Sequence, residues 1–505
     1  MKSALTLVIF LLLVSSSLMY ASEIQLHTYG PIYPKSTWPG PNGVDHVVII
    51  DIDGLKREVL YSLLADAPEE IPNISSLVGA VSHFSDTNDF MFHDALGVNR
   101  ATTVCPSVTL PSQFAIVTGR WPKNHGIPAN YWLSRRLDRI IDITGLLEAI
   151  LPSTASALHQ GPTILETAAE HGLTCVSGLS NVAQTLDVPQ PMAPDLIDPV
   201  TFDTGMTTAI LELINRNGIP RILFVYYPGN DVNSHSHGAE TQFEYLSDIL
   251  DPLVGQLLHG NGGGLSGISD IDPDFMTNTV FLFCSDHGHI NVSSEEDHSI
   301  GSDDLALYLA SVDFVMDDSA LLIANGGVGL LYLKNRRHDS WTRPRFLRDV
   351  LPVARAIVDS RSQLGDFLDF MLLRVNNASD GQAYRVLDPN SGRIRSIRSF
   401  FHNRMQDYPD AVQRIFGTDP GAFGDIILFP NRSDGYHIAE SPGVASDHGS
   451  LGAVESYVPM IFAGAVQPRT ARQARNIDIA PTIANLLGLR HHWQNGDGRS
   501  LIIGR

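Results

Sequence analysis

Three continuous apolar runs stand out along the chain, at residues 44–53 (VDHVVIIDID), 222–227 (ILFVYY) and 279–285 (TVFLFCS). Such runs are typical of strands buried on both faces of a parallel sheet. Each run ends in or soon leads to an aspartate, namely Asp53, Asp231 and Asp286. Because ligands bind at the carboxyl ends of strands in open α/β sheets, the pattern predicts a site where these three acids converge.

A helix is also predicted within the stretch of residues 103–130. Leu110 and Pro111 follow Thr109, and helical spacing begins near Ser112. Proline suits the first turn of a helix, where its missing N–H group is not needed. Thr109 is therefore expected just before a helix N-terminus, where N–H groups and the helix dipole favour an anion. Its hydroxyl group could attack phosphorus if a neighbouring group lowered its pKa.

The rest of the chain alternates predicted helices and strands without a repeat. Helices are predicted at residues 55–64, 163–171, 240–258 and 477–489, and strands at 173–177 and 458–463. Residues 291–443 are less regular, with apolar segments at 321–333, 382–387 and 426–430 and an arginine-rich helix near 341–358. We interpret 23–505 as one catalytic domain in which about 291–443 form an insertion, or cap, over the site.

The acids are accompanied by histidines at metal-ligand spacing. Asp231 and His235 lie four residues apart, so on a helix they share one face, although His237 is a competing ligand. Our hypothesis is that six residues hold two metal ions, one of which activates Thr109. The six are Asp53, Asp231, His235, Asp286, His287 and His448.

Two of these interpretations have plain structural alternatives. Asp51 or Asp53 could cap the helix that follows. Asn130 is a candidate donor to a phosphoryl oxygen, but asparagine is also a common turn-forming residue, and the local sequence fits that role equally well.

Composition and the N-terminal sequence limit the partners that the protein is expected to bind and the cell compartment in which it is expected. The chain has 505 residues, with 34 basic and 55 acidic side chains and a net charge of −21, which argues against duplex nucleic acid as a partner. Residues 1–22 read as a signal peptide, with Lys2 before an apolar core at 4–14. Cleavage would leave no membrane span and a secreted protein, extracellular or periplasmic, whereas an uncleaved anchor is the alternative. Three cysteines do not make a disulfide framework.

Six short motifs occur in a specific order over nearly the whole mature chain. They are DG at 53–54, TLP at 109–111 followed by TGRWPKNHGI, DxxxH at 231–235, SDHG at 285–288, DHG at 447–449 and DIAPTIANLLGL at 478–489. Together they resemble the type I phosphodiesterase/nucleotide pyrophosphatase family of the alkaline phosphatase superfamily. The resemblance implies a three-layer α/β sandwich, with a largely parallel central sheet and helices on both faces, and two zinc ions.

Residue by residue, the resemblance implies a set of ligands. One zinc ion would be held by Asp231, His235 and His448, and the other by Asp53, Asp286, His287 and the Thr109 hydroxyl oxygen. Asn130 and the Thr109 N–H group would bind a phosphoryl oxygen. The expected reaction is hydrolysis of a phosphodiester or pyrophosphate bond in a small phosphorylated substrate, through a phospho-threonine intermediate. Manganese or iron could replace zinc in such a site.

Two departures from the family pattern concern the substrate. His289 follows SDHG where nucleotide pyrophosphatases usually carry another residue, and Ser112-Gln113 replaces a common Asn-His pair. Neither position is a proposed ligand, but both weaken the expectation of a nucleotide.

Other activities stay open. A sulfatase is not expected, because Thr109 cannot become formylglycine. A phosphomonoesterase would need another positive charge, for which Arg120 is a candidate, and phosphonoacetate-type phosphonate hydrolases also resemble this arrangement. The non-catalytic alternative is an extracellular binding protein on a hydrolase fold.

Overall fold

The structure is a computed structural model. It describes residues 27–29, 43–84, 88–142, 159–178, 198–359, 363–375, 382–439, 443–493 and 496–502. The predicted signal peptide at residues 1–22 lies outside these ranges. In the part of the chain described, no helix combines the length and the apolar character that a membrane crossing requires.

A nine-stranded sheet forms the centre of the molecule. In spatial order its strands are His27–Tyr29, Cys175–Ser177, Ile222–Tyr227, His46–Ile52, Thr279–Cys284, Met460–Gly464, Leu96–Thr102 and Tyr457–Val458, with Arg469–Arg475 also on Leu96–Thr102. The four strands from Cys175–Ser177 to Thr279–Cys284 run parallel to one another, and Met460–Gly464 is antiparallel to its neighbours. The predicted α/β architecture with a largely parallel sheet is therefore confirmed.

Side chains of the central strand alternate between two apolar cores. Val47 and Ile49 enter one core, and Val48 and Ile50 enter the other, since successive side chains of a strand point to opposite faces. The helices of the first core include Thr109–Thr118, Ile164–Glu170, Ile397–Phe401, Ala411–Phe416 and Ile479–Leu486. Those of the second include Arg57–Asp66, Pro72–Val78, Pro199–Asn217 and Asp251–His259. Helices on both faces give the three-layer arrangement.

A second sheet of six antiparallel strands lies within residues 291–443. In spatial order its strands are Ala320–Ala324, Gly329–Leu333, Ile426–Pro430, Leu368–Arg374, Tyr384–Asp388 and Arg393–Ser396. Leu330 and Phe370 on one face join the first core of the main sheet, whereas Leu331 and Met371 on the other pack in a core of their own. The second sheet is thus packed onto the body of the molecule through a continuous apolar layer.

Shorter elements complete the fold. The remaining helices are Pro122–His125, Gly229–His237, Gln242–Tyr245, Ile268–Ile271, Phe275–Asn278, Ser302–Ala310, Leu351–Ile357 and Ala453–Ser456. Four two-stranded pairs are Val81–His83 with Phe90–Phe92, Tyr131–Ser134 with Arg139–Asp142, Ile290–Asn291 with Ser446–Asp447, and Ser299–Ile300 with His437–Ile438.

Several predicted elements differ in their bounds. The predicted helix at 240–258 is divided into short 3-10, α and π segments before Asp251–His259. Residues 321–333 form a hairpin around Asn325 to Val328, and the helix predicted near 341–358 begins only after Arg345. The helix expected to begin near Ser112 begins at Thr109, because extended Val108 is its N-cap.

Candidate active site

Three adjacent parallel strands bring the predicted acids to one edge of the main sheet. The strands are Ile222–Tyr227, His46–Ile52 and Thr279–Cys284. Asp53 follows the middle strand directly, Asp286 follows the third, and the first leads into the helix Gly229–His237, which carries Asp231 and His235. Parallel strands end on the same side, so residues far apart in sequence converge there.

The first group, which we call the Asp53 cluster, consists of Asp53, Asp286 and His287. Each offers a ligand atom, and these atoms lie within 4.8 Å of one another. His287 Nε2 is 3.3 Å from Asp53 Oδ1 and 3.4 Å from Asp286 Oδ2. Thr109 Oγ1 lies 3.2 Å from the same His287 nitrogen. A hydroxyl, two carboxylates and one imidazole therefore face a common point.

Two carboxylate oxygens of the Asp53 cluster are buried without a hydrogen-bond partner among the described residues. They are Asp53 Oδ1 and Asp286 Oδ2, the same atoms that face His287. Burial and the charge of Asp286 raise the pKa of Asp53 well above its usual range, and burial and the charge of Asp231 raise that of Asp286 to about 7. Buried, mutually repelling oxygens of this kind fit a bound cation, which would compensate their charge.

The second group, the Asp231 cluster, consists of Asp231, His235, His289 and His448, whose ligand atoms also lie within 4.8 Å of one another. Asp231 Oδ1 is 2.5 Å from His289 Nε2 and 3.5 Å from His448 Nε2. Asp231 Oδ2 is 3.5 Å from His235 Nε2. Three imidazole nitrogens thus surround one carboxylate.

Hydrogen bonds behind the rings fix which nitrogen of each histidine faces Asp231. The Nδ1–H groups of His235 and His448 donate to the carbonyls of Ser446 and Ser107, at 2.8 and 3.1 Å. The Ser446 hydroxyl donates to a carbonyl at 2.6 Å and therefore accepts from His289 Nδ1–H at 2.9 Å. Every Nε2 consequently presents its lone pair to the carboxylate, which is how metal-binding histidines are oriented.

The pKa values of two of these histidines also favour the neutral ring, which has a free lone pair on Nε2. Burial lowers the pKa of His289, and burial together with the charge of His287 lowers that of His448 well below its usual range. Neutral imidazoles have the free lone pair that a metal ion requires. The mixed nitrogen and oxygen donors of both clusters fit zinc or a similar divalent ion.

Gly54 lies between the two clusters and allows their close approach. Its φ of +68° is rare for other residues, and a Cβ atom there would lie 2.6 Å from His289 Cδ2 and 2.9 Å from Asp231 Oδ1. Its N–H group also donates to Asp286 Oδ1 at 3.1 Å. The glycine of the DG motif is therefore required both for the turn and for the space.

Asn130 is attached to the first turn of the Thr109 helix. Its Oδ1 accepts from the Leu110 N–H group at 3.0 Å, which leaves the amide NH₂ group as a donor. The Asn325 Oδ1 atom in turn accepts from the N–H groups of Asn130 and Tyr131, at 3.0 and 3.1 Å. A side-chain amide is thus fixed beside a helix N-terminus, where anions are favoured.

Comparison with known families agrees with this geometry. The model of the type I phosphodiesterase/nucleotide pyrophosphatase family matches residues 47–451. The chain belongs to this family. An uncharacterized pyrophosphatase/phosphodiesterase of Schizosaccharomyces pombe is 23% identical over 255 residues, which cover 48% of this chain and 44% of the yeast protein. The chain thus spans less than half the length of that relative.

The structure of this phosphodiesterase-family chain brings together every residue expected at the site. Asp53, Asp286, His287 and Thr109 meet at one point, Asp231, His235 and His448 at the next, and Asn130 lies beside Thr109 through Leu110. Their roles as ligands and nucleophile stay predictions. Neither aspartate of the first strand caps the next helix, whose N-cap is Lys56.

Three sequence candidates lie outside both clusters. His237 is exposed, and its ring bonds to the Asn233 carbonyl on its own helix. Asp51 is buried beside Cys284. Arg120 packs against Gly161 rather than in either cluster.

His289 is the residue that sequence reasoning left out of the ligand sets. It departs from the family pattern in the sequence, and the structure places it within the Asp231 cluster. Its position two residues after His287, in a loop that carries two other cluster members, was the available signal.

Proposed function

We propose that the protein is a two-zinc hydrolase of phosphodiester or pyrophosphate bonds that acts through a phospho-threonine intermediate. The observation that carries the proposal is the position of Thr109 Oγ1, 3.2 Å from His287 Nε2 at the edge of the Asp53 cluster. Family membership supports the class of reaction, since the matched family is named for phosphodiesterase and pyrophosphatase activity.

Each cluster is proposed to hold one divalent ion. Asp53, Asp286, His287 and Thr109 would hold one, and Asp231, His235 and His448 the other, with His289 beside them. Three aspartates carry less charge than two divalent ions, so the loaded site is net positive and attracts an anionic ester despite the acidic chain. When bound, such ions supply the positive charge that lowers the pKa of a nearby hydroxyl group.

The proposed reaction then proceeds in two displacements at phosphorus, in which residues of the chain take part. Thr109 Oγ1 loses its proton and attacks phosphorus, and the bond from phosphorus to the leaving oxygen breaks. The Asn130 amide and the Thr109 N–H group donate to a phosphoryl oxygen, where negative charge grows. Water then attacks the phospho-threonine, which releases the phosphate product and restores the hydroxyl group.

Diesters and pyrophosphates are favoured over monoesters by the position of Arg120. A monoester carries one more negative charge, and Arg120, the candidate to neutralise it, packs against Gly161. A proposed signal peptide at residues 1–22 would direct the enzyme out of the cytoplasm.

The test is a substrate panel assayed with zinc and again after chelation. The panel contains bis-p-nitrophenyl phosphate, p-nitrophenyl phosphate, a nucleoside triphosphate and phosphonoacetate. We expect zinc-dependent turnover of the diester and the pyrophosphate bond above that of the monoester. Faster cleavage of phosphonoacetate would change the substrate class, and stoichiometric zinc without any hydrolysis would support a binding protein instead.

A further inference from the structure

A basic cavity of about 420 Å³ lies beside the hairpin that follows Asn130. It is lined by Trp132, Arg135 and Arg136 of this hairpin, together with Arg343, Arg374 and Asp419. None of the residues of the two metal clusters lines it. Four arginines around one cavity are notable in a chain whose net charge is −21.

Arg135 is the unusual member of this group. Its side chain is 7% exposed, and NH2 lies 3.1 Å from Asp425 Oδ2. Its guanidinium carbon lies 5.0 Å from the centre of the Tyr332 ring. The contact with Asp425 is an ion pair without hydrogen-bond geometry, so among the described residues none accepts a hydrogen bond from Nε, NH1 or NH2 of Arg135. Buried donors without an acceptor are uncommon, and each requires a physical explanation, of which binding of an ion is one.

The charge around Asp425 is also unbalanced. This buried carboxylate accepts from Arg374 NH1 at 3.1 Å and from the Leu333 N–H group at 2.9 Å. It therefore serves two guanidinium groups at once. Asp419 is the other carboxylate at the cavity, so four arginines face two acids and the cavity keeps a net positive charge.

We propose that this cavity binds a phosphate-type oxyanion, with Arg135 as its principal ligand and Arg343 at the rim. A tetrahedral oxyanion offers the acceptors that the Arg135 fork lacks and the negative charge that the cavity lacks. The oxyanion comes either from a second phosphate group of the substrate or from free phosphate in solution.

The first experiment is calorimetric titration of the full chain with inorganic phosphate, after chelation of metal so that the two clusters do not contribute. Arg135→Gln should weaken phosphate affinity about tenfold or more, the usual effect of losing a charged, bidentate contact. The substitution leaves Arg374 and Asp425 as a one-to-one pair, so folding should persist. Arg343→Gln, on the exposed rim, should weaken affinity by a smaller factor.

The matched control is Arg355→Gln. Arg355 donates to the Gly392 carbonyl outside the cavity, so this variant makes the same charge change without touching the site. Its phosphate affinity should equal that of the wild type. Equal affinities in the wild type and all three variants would overturn the proposal.

A second experiment separates the two sources of the oxyanion, and it alone rests on the proposed hydrolase activity. The KM of Arg135→Gln is compared for bis-p-nitrophenyl phosphate, which has one anionic group, and for a dinucleoside polyphosphate, which has several. A rise in KM for the polyphosphate alone assigns the cavity to a remote phosphate of the substrate. Unchanged KM values, with phosphate affinity lost in the titration, assign it to free phosphate.

Discussion

The two clusters at the edge of the main sheet lie side by side but are built on opposite electrostatic principles. The Asp53 cluster combines two buried acids with one histidine. Burial raises the pKa values of both acids, with a further contribution from the charge of Asp286 at Asp53 and from that of Asp231 at Asp286. The Asp231 cluster surrounds one acid with three histidines. Burial favours the neutral form of His289 and His448, so these imidazoles offer lone pairs and do not compensate the charge of Asp231.

This difference indicates that the two clusters depend to different degrees on a bound cation. In the Asp53 cluster, two carboxylate oxygens have no hydrogen-bond partner among the residues described, and a bound cation would compensate their charge. In the Asp231 cluster, serine and backbone oxygens already orient the rings, and the carboxylate has imidazoles around it. We therefore expect the first cluster to depend strongly on its metal and the second to be preorganised.

The largest effect is expected from Thr109→Ala. The hydroxyl is the proposed nucleophile, and its loss should lower turnover by about three orders of magnitude or more, because covalent catalysis and its activation disappear together. Metal content should stay near that of the wild type, since the acids and histidines remain. Steady-state kinetics and elemental analysis on the same sample measure both. Near-normal turnover would rule out the phospho-threonine route.

Asp286→Asn should break the Asp53 cluster selectively. The amide oxygen can still accept from the Gly54 N–H group, as Asp286 Oδ1 does at 3.1 Å, but the negative charge is gone. We expect the bound metal to fall from two ions to one per chain after dialysis, with turnover falling by about a hundredfold or more. Retention of two ions with normal turnover would contradict the proposed ligand set.

The comparison also shows what the sequence can and cannot reveal. The acids were predictable because each follows an apolar run, and the runs became neighbouring parallel strands with Asp53 and Asp286 at their ends. His289 was not assigned as a ligand, because its contact with Asp231 depends on the space that Gly54 leaves. The four-residue spacing from Asp231 favoured His235 as a ligand but did not exclude His237. The structure separates them, because His235 lies in the Asp231 cluster whereas the exposed His237 ring bonds to its own helix.

The fold was predictable to a similar degree. Strands buried on both faces, such as Ile222–Tyr227, keep the bounds that their apolar run predicts. The amphipathic run at 240–258 is broken into several segments, since a local irregularity such as the π segment Leu246–Leu250 leaves the apolar spacing nearly unchanged. The six-stranded sheet required pairings between distant segments, which no local pattern encodes.

His289→Gln should weaken metal binding at the Asp231 cluster by about ten- to a hundredfold, the usual range for groups that ligate or orient a metal ligand. Competition with a coloured chelator measures the metal affinities of the Asp231 cluster and the Asp53 cluster separately. Cobalt substitution adds a second readout, because the visible spectrum reports the donor set. His237→Gln is the matched control, since His237 is exposed on the neighbouring helix and lies outside the cluster. Equal affinities in the two variants would show that His289 has no part in metal binding.

The smallest effect concerns Asp203, which supports the Asp231 cluster from behind. Its Oδ1 accepts from the Gly229 N–H group at 3.2 Å, at the first residue of the helix that carries Asp231, and its Oδ2 accepts from Tyr245 at 2.9 Å. Burial raises the pKa of Asp203 from 3.8 to about 8. The folded state therefore holds this proton over a range where the unfolded chain has released it.

The sign of the pH dependence follows from that difference. The stability that protonated Asp203 contributes is complete below pH 3.8 and is lost progressively as the pH rises to about 8. Asp203→Asn cannot titrate, so the free energy of unfolding of the wild type should fall relative to this variant between pH 5 and 8. The expected change is on the order of a few kcal/mol. Urea unfolding of both proteins across this range measures it, and all other titrating groups cancel in the difference. A difference that stays constant with pH would mean that Asp203 is ionised in the folded protein, with the Gly229 N–H group and Tyr245 stabilising its charge.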